Sequence, residues 1–168
     1  MMVDRESAMK VTLPSDREIV MTRAFNAPRD LVFEAWTKPE HVRNWWGPRN
    51  TTKVLFEADV RPGGSWRYVI LNGEGVEVPF KGVYQEVNPP ERLVYTETFD
   101  VEPFNSGDPA LNTAIFTEEA GRTLVTVTTV YPTKEIRDFV LGTGMEDGAA
   151  ESYDRLAELL VGLSKNRR

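Results

Sequence analysis

The hydrophobic positions of this chain change their period three times, and the changes mark out its elements. Glu18-Ile-Val-Met-Thr-Arg-Ala-Phe25 reads as a strand that Asn26-Ala-Pro-Arg stops, with the first dozen or so residues polar, irregular and loosely held. Helical spacing follows. Pro28 suits a helix N-terminus, where a missing N–H costs nothing, and Leu31, Val32, Ala35 and Trp36 form one buried face. Thr37-Lys-Pro-Glu repeats the start signal for a second short helix carrying Val42, Trp45 and Trp46, which Gly47-Pro48 ends.

From Thr51 the pattern is that of strands, expected over residues 53–59, 65–71, 78–87, 92–99, 111–118 and 122–131. Asn72-Gly73 predicts a tight hairpin turn, and residues 100–109 an exposed loop. Beyond Pro132 the helical period returns with Ile136, Phe139 and Val140. It continues through Met145, Ala149, Ser152, Tyr153, Leu156, Leu159, Leu160 and Leu163, about five turns at 3.6 residues each. Gly142 and Gly144 predict a break, with the main helix starting near Met145 or Glu146.

A sheet of about six strands plus the first must bury one face, and the long helix is the element large enough to cover it. The expected fold is therefore α+β: a curved antiparallel sheet around a long C-terminal helix, with two short helices after the first strand. Such a sheet does not close on a single layer of side chains, so a cavity between sheet and helix is geometrically natural. The domain is expected over residues 16–163, with 1–15 and 164–168 as flexible termini.

Composition narrows the chemistry. There is no cysteine and one histidine, which excludes disulfides, thiolate sites and imidazole-rich metal sites. A formal charge of -6 works against broad contact with nucleic acid. No run approaches the roughly 18 apolar residues of a membrane helix, and no secretory signal opens the chain, so the cytoplasm is the expected compartment. The expectation is no cofactor, no metal, no nucleic acid and no membrane insertion, with a homodimer left open.

Candidate chemistry rests on aromatics and one carboxylate. Trp66, Tyr68 and Ile70 share a strand face, as do Phe80, Gly82 and Tyr84, and Gly82 leaves room between two rings. These rings either fill a core or line a ligand space. Glu97 and Thr98 interrupt an apolar strand; whichever points inward needs a partner such as Tyr84 or Arg67, and an inward Glu97 is the weak candidate for an acid or base. His41 reads as an exposed helix residue and Pro62-Gly63-Gly64 as a turn, since it lacks the Lys and Ser/Thr of a phosphate loop.

Several segments together resemble the START-like, or SRPBCC, superfamily. They are Phe25-Asn-Ala-Pro28, Val32-Phe-Glu-Ala-Trp36, Trp45-Trp-Gly-Pro48, Asp59-Val-Arg-Pro-Gly-Gly-Ser-Trp66, Phe80-Lys-Gly-Val-Tyr84, Glu86-Val-Asn-Pro-Pro-Glu-Arg-Leu-Val-Tyr95, Gly144-Met-Glu-Asp-Gly148 and Ser152-Tyr-Asp-Arg-Leu-Ala-Glu-Leu-Leu160. Within that superfamily the chain is similar to bacterial proteins sharing the C-terminal domain of the activator of heat-shock protein 90 ATPase. The resemblance implies a helix-grip fold and a deep hydrophobic cavity, here lined by Trp36, Trp66, Tyr68, Phe80, Tyr84, Phe116, Met145 and Tyr153. On physical grounds Tyr84, Tyr68 and Glu97 are the polar groups expected to orient a ligand in it. The resemblance does not imply one activity. The expected function is binding of a hydrophobic or aromatic small molecule without catalysis. The alternatives are a cyclase-like cavity enzyme using an inward carboxylate and tyrosine, and a partner-binding module related to chaperone activators.

Overall fold

A computed structural model describes residues 8–167. Its strands are β1 (Lys10–Thr12), β2 (Glu18–Phe25), β3 (Thr52–Ala58), β4 (Ser65–Leu71), β5 (Glu77–Asn88), β6 (Arg92–Phe99), β7 (Ala110–Glu119) and β8 (Arg122–Val130). The helices are α1 (Arg29–Thr37), α2 (Pro39–Val42), α3 (Lys134–Leu141) and α4 (Met145–Asn166). The strands make one antiparallel sheet in the order β1-β2-β8-β7-β6-β5-β4-β3, curved around α4 in the helix-grip arrangement. Alternation decides which side faces in: Ile19, Met21, Arg23 and Phe25 of β2 and Thr123, Val125, Val127 and Thr129 of β8 are all buried on the concave face. Tyr153, Leu156 and Leu160 of α4 meet that face, and α1 closes one end of it with Val32, Phe33 and Trp36.

Regular structure reaches further toward both ends of the described residues than their composition predicts. Residues 10–12 form an edge strand in register with Thr22, Met21 and Val20, which lets Met9 and Val11 pack on the core. At the other end α4 runs to Asn166, and Arg167 bridges Asp30 at 3.1 Å and Glu34 at 3.4 Å instead of fraying. The expected looseness of residues 1–7 and of Arg168 lies outside the described residues.

Three local expectations are corrected. The hairpin between β4 and β5 is not a two-residue turn: Leu71 pairs with Glu77, and the Asn72 side chain accepts the amides of Glu74 and Val76 at 2.9 and 3.0 Å across a five-residue loop. α2 stops at Val42, so Trp45 and Trp46 sit on the turn that follows it, although Trp45 still anchors this turn through its indole nitrogen, which donates to the Ala35 carbonyl at 2.9 Å. In α3 only Val140 of the three spaced apolar residues packs on the core. Ile136 and Phe139 are exposed while Arg137 is buried, donating to the Ser15 carbonyl at 2.7 Å. The break between α3 and α4 falls where the sequence predicts it, at Gly144, whose φ of +81° a side chain would strain.

Candidate functional site

The concave face carries two aromatic groups. Around α1, Trp36 packs on Trp45, Phe116 and Tyr153 with ring centroids 5.0, 5.6 and 5.5 Å apart, and Phe116 also meets Phe33 at 5.1 Å. Along β3 to β6, Trp46 meets Tyr68 at 5.4 Å and Phe80 at 5.0 Å, and Phe80 meets Phe99 at 5.4 Å. That row continues outward through Phe104, which stacks on Phe139 of α3 at 5.2 Å. Tyr95 stands between the groups, 6.0 Å from Trp66 and 6.1 Å from Tyr84.

Trp66 points inward and solves the question of Gly82. The two residues are paired across β4 and β5, and the indole lies over the glycine so that Nε1 donates to the Thr96 carbonyl of β6 at 3.1 Å. A Cβ on Gly82 would overlap both that carbonyl and the indole nitrogen. The space beside Gly82 is therefore a seat for a ring, and not room for a ligand.

Glu97 is the inward residue of the Glu97–Thr98 pair. It shares its face with Tyr95 and lies opposite Ala110 of β7. Its Oε1 accepts from Asn112 Nδ2 at 3.3 Å, and Asn112 Oδ1 accepts from the Thr129 hydroxyl at 2.6 Å. Neither expected partner serves it: Arg67 turns out to bind Asp100 at 2.7 Å, and the Tyr84 hydroxyl interacts with that of Tyr68. Burial pushes the Glu97 carboxyl above the ordinary glutamate range, opposed by the Asn112 hydrogen bond. Burial raises Tyr95, Tyr131 and Tyr153 as well, and the nearby Glu97 charge adds to each. Tyr84 is pushed up to about 12, again by burial first, and Tyr68 is raised for the same cause.

The concave face is not uniformly tight. Leu93, Ala114, Phe116, Val125 and Val127 are at most 3 % exposed, but Phe80, Tyr95, Glu97 and Phe99, with Val140, Leu141, Met145 and Ala149 across from them, are only partly buried. Of the expected lining residues, Trp36, Phe116 and Tyr153 belong to the tight end, Phe80, Glu97 and Met145 to the looser end, and Trp66, Tyr68 and Tyr84 cover one another between. Two grooves lie elsewhere, one of about 510 Å³ between Phe33, Val60, Val87 and Pro90 and one of about 190 Å³ between Arg43, Trp46, Lys53 and Arg155. Neither is lined by a predicted cavity residue. His41 is half-buried in α2, and no group of three or more His, Asp or Glu placed to hold a metal ion occurs among the described residues.

The model of the Activator of Hsp90 ATPase homolog 1-like proteins matches residues 26–161. The chain belongs to this family. The matched range holds every residue from Trp36 to Tyr153 discussed above, and leaves out Arg23. No curated protein matches the chain. Among solved structures, protein NE0264 of Nitrosomonas europaea is 22 % identical with a TM-score of 0.81, over 91 % of this chain and 99 % of that one. Ms6760 of Mycobacterium smegmatis is 25 % identical with a TM-score of 0.81, over 91 % and 96 %. The AHSA1 protein SPO3351 of Silicibacter pomeroyi is 22 % identical with a TM-score of 0.69, over 86 % and 97 %. These likenesses establish the helix-grip fold shared within the Hsp90-activator-like family. No helix among the described residues is long and apolar enough to cross a membrane.

Sequence reasoning missed the polar companions of Glu97. Asn112 stands at an inward position between Ala110 and Ala114, and Thr129 follows Val125 and Val127 inward on β8; a polar residue at an apolar parity was the available signal. It also missed Arg23, buried at 6 % exposure on the concave face of β2, whose Nη1 donates to Asp154 Oδ1 at 2.6 Å while its Nε has no hydrogen-bond partner among the described residues.

Proposed function

We propose that this family member binds an apolar or aromatic small molecule at the looser end of the concave face, beneath the start of α4. One observation carries the reading: Phe80, Tyr95, Glu97, Met145 and Ala149 point between sheet and helix yet retain accessible surface, while their neighbours on the same face retain almost none. Partial exposure beside almost fully buried neighbours is what supports a ligand space at this end of the face. A ligand burying roughly 300 Å² there gains about 7 kcal/mol at about 25 cal/mol per Å², before the costs of association, which is enough for micromolar binding.

Glu97 supports orientation more than catalysis. Its hydrogen bond comes from Asn112, a residue that cannot exchange protons at neutral pH, so the carboxylate–tyrosine relay that a cyclase-like reading needs lacks its hydrogen bond.

The test is a fluorescence titration with the uncharged dye N-phenyl-1-naphthylamine. Saturable enhancement is expected for the unaltered protein and for Ile115→Trp on the outer face, and its loss for Ala149→Trp, which fills the proposed space. If Ala149→Trp does not fold, Met145→Trp makes the same test. Binding that survives in a folded filled variant, or no binding by the unaltered protein, removes the reading.

A further inference from the structure

Resting on that reading, we infer that the occupant is a cation: a small apolar or aromatic molecule bearing a protonated amine, whose ammonium group meets Glu97. The carboxylate is held inside the domain by one hydrogen bond among the described residues, from Asn112 at 3.3 Å, the long end of the normal range. An ionised carboxyl group has about four acceptor positions, so a single hydrogen bond leaves most of its capacity for a ligand.

Among the described residues no hydrogen bond or salt bridge gives Glu97 an ion-pair partner. Arg23, the cation buried on the same face, is bound to Asp154 at 2.6 Å, and Arg67 and Lys81 pair with Asp100 on the outer side of the sheet at 2.7 and 3.3 Å. Burying an unpaired carboxylate costs several kcal/mol, a cost lowered either by protonation or by an ammonium partner that pairs with the ionised form. The surrounding groups suit a cation too. Tyr95, Tyr131 and Tyr153 lie close enough to feel the Glu97 charge, and their hydroxyl oxygens can accept the remaining N–H bonds of an ammonium group. Phe99, two residues beyond Glu97 on β6, and Phe80, its partner on β5, supply rings on which the apolar body would rest. A ligand carboxylate would instead meet like charge without a compensating donor.

The experiment is displacement of N-phenyl-1-naphthylamine by three molecules of one shape: 1-naphthylmethylamine, 1-naphthalenemethanol and 1-naphthoate. The amine is expected to bind about tenfold or more tightly than the alcohol, the difference between a charge-assisted and a neutral hydrogen bond, and the carboxylate most weakly. In Glu97→Gln the advantage of the amine over the alcohol should fall to within about twofold. An alcohol or carboxylate that binds as well as the amine overturns the inference, as does an amine preference that persists in Glu97→Gln. Should that variant not fold, the ranking in the unaltered protein decides alone. Failure of the dye itself to bind would instead strike the binding site as a whole, so the two outcomes are separate.

Discussion

Trp66 occupies the side-chain place that Gly82 leaves empty, and through it one indole ties β4 to β6 across the strand between them. The glycine is therefore a packing requirement of the sheet. Gly82→Ala should force the indole off the Thr96 carbonyl and displace backbone that cannot move freely. A loss of about 2 kcal/mol or more is expected from overpacking, read as a lower urea midpoint at unchanged slope. A neutral substitution would mean that the indole does not sit over Gly82.

Glu97 should make the protein less stable as pH rises. Its folded pKa is raised, chiefly by burial, so the folded state holds this proton more tightly than the unfolded chain does. No penalty exists below the unfolded value of about 4.3; stability then falls as pH climbs toward the folded pKa and is level above it. Glu97→Gln should flatten that slope and leave the variant the more stable protein at the alkaline side. Parallel slopes for the two proteins in urea melts at a series of pH values would show that Glu97 is not desolvated.

Asp100 should act with the opposite sign. Hydrogen bonds from Arg67 first, then Asn105 and Lys81, hold its carboxyl down at about 2 and fasten the start of the 100–109 loop to β4 and β5. The stabilisation is present in full above about 4, the unfolded value, and is lost as pH falls through about 2. Asp100→Asn should remove stability near neutrality and lose less of it in acid than the unaltered chain. Equal acid limbs would count against the cluster.

The Arg23–Asp154 pair separates the cost of a missing partner from the worth of the pair. Asp154→Ala strands a guanidinium that is 7 % exposed, and a loss of about 1–3 kcal/mol is expected, below the full buried-pair figure because the aspartate side chain is 53 % exposed. Arg23→Met removes the charge together with an Nε that has no hydrogen-bond partner among the described residues, and should cost less than Asp154→Ala, or stabilise. The two midpoints, compared in one denaturant series, give the order; the reverse order would show that the pair itself is strongly favourable.

Much of the architecture was legible because it follows from local rules. Period-two runs place the strands from β2 to β8 within a residue or so of their ends, and Gly144 breaks the terminal helix because only a residue without a Cβ takes its φ comfortably. The edge strand at residues 10–12 was not legible, since three residues carry too little pattern and owe their order to pairing with β2. The exposure of Ile136 and Phe139 in α3 was not either: periodicity gives a face but not which way it turns, and Arg137 is drawn inward by the Ser15 carbonyl.

For the site, the sequence alone determined which residue types were available: aromatics at strand and helix parities, one carboxylate in an apolar strand, and no thiol or imidazole cluster. Only the tertiary structure decided that Glu97 and not Thr98 faces in, that Asn112 donates to it and Thr129 to Asn112, and that Trp66 fills the gap at Gly82. Alternation along a strand fixes relative sides, but the absolute side and the neighbour across the ladder depend on strand register and on the bulge between Tyr84 and Glu86, which are settled by the sheet as a whole.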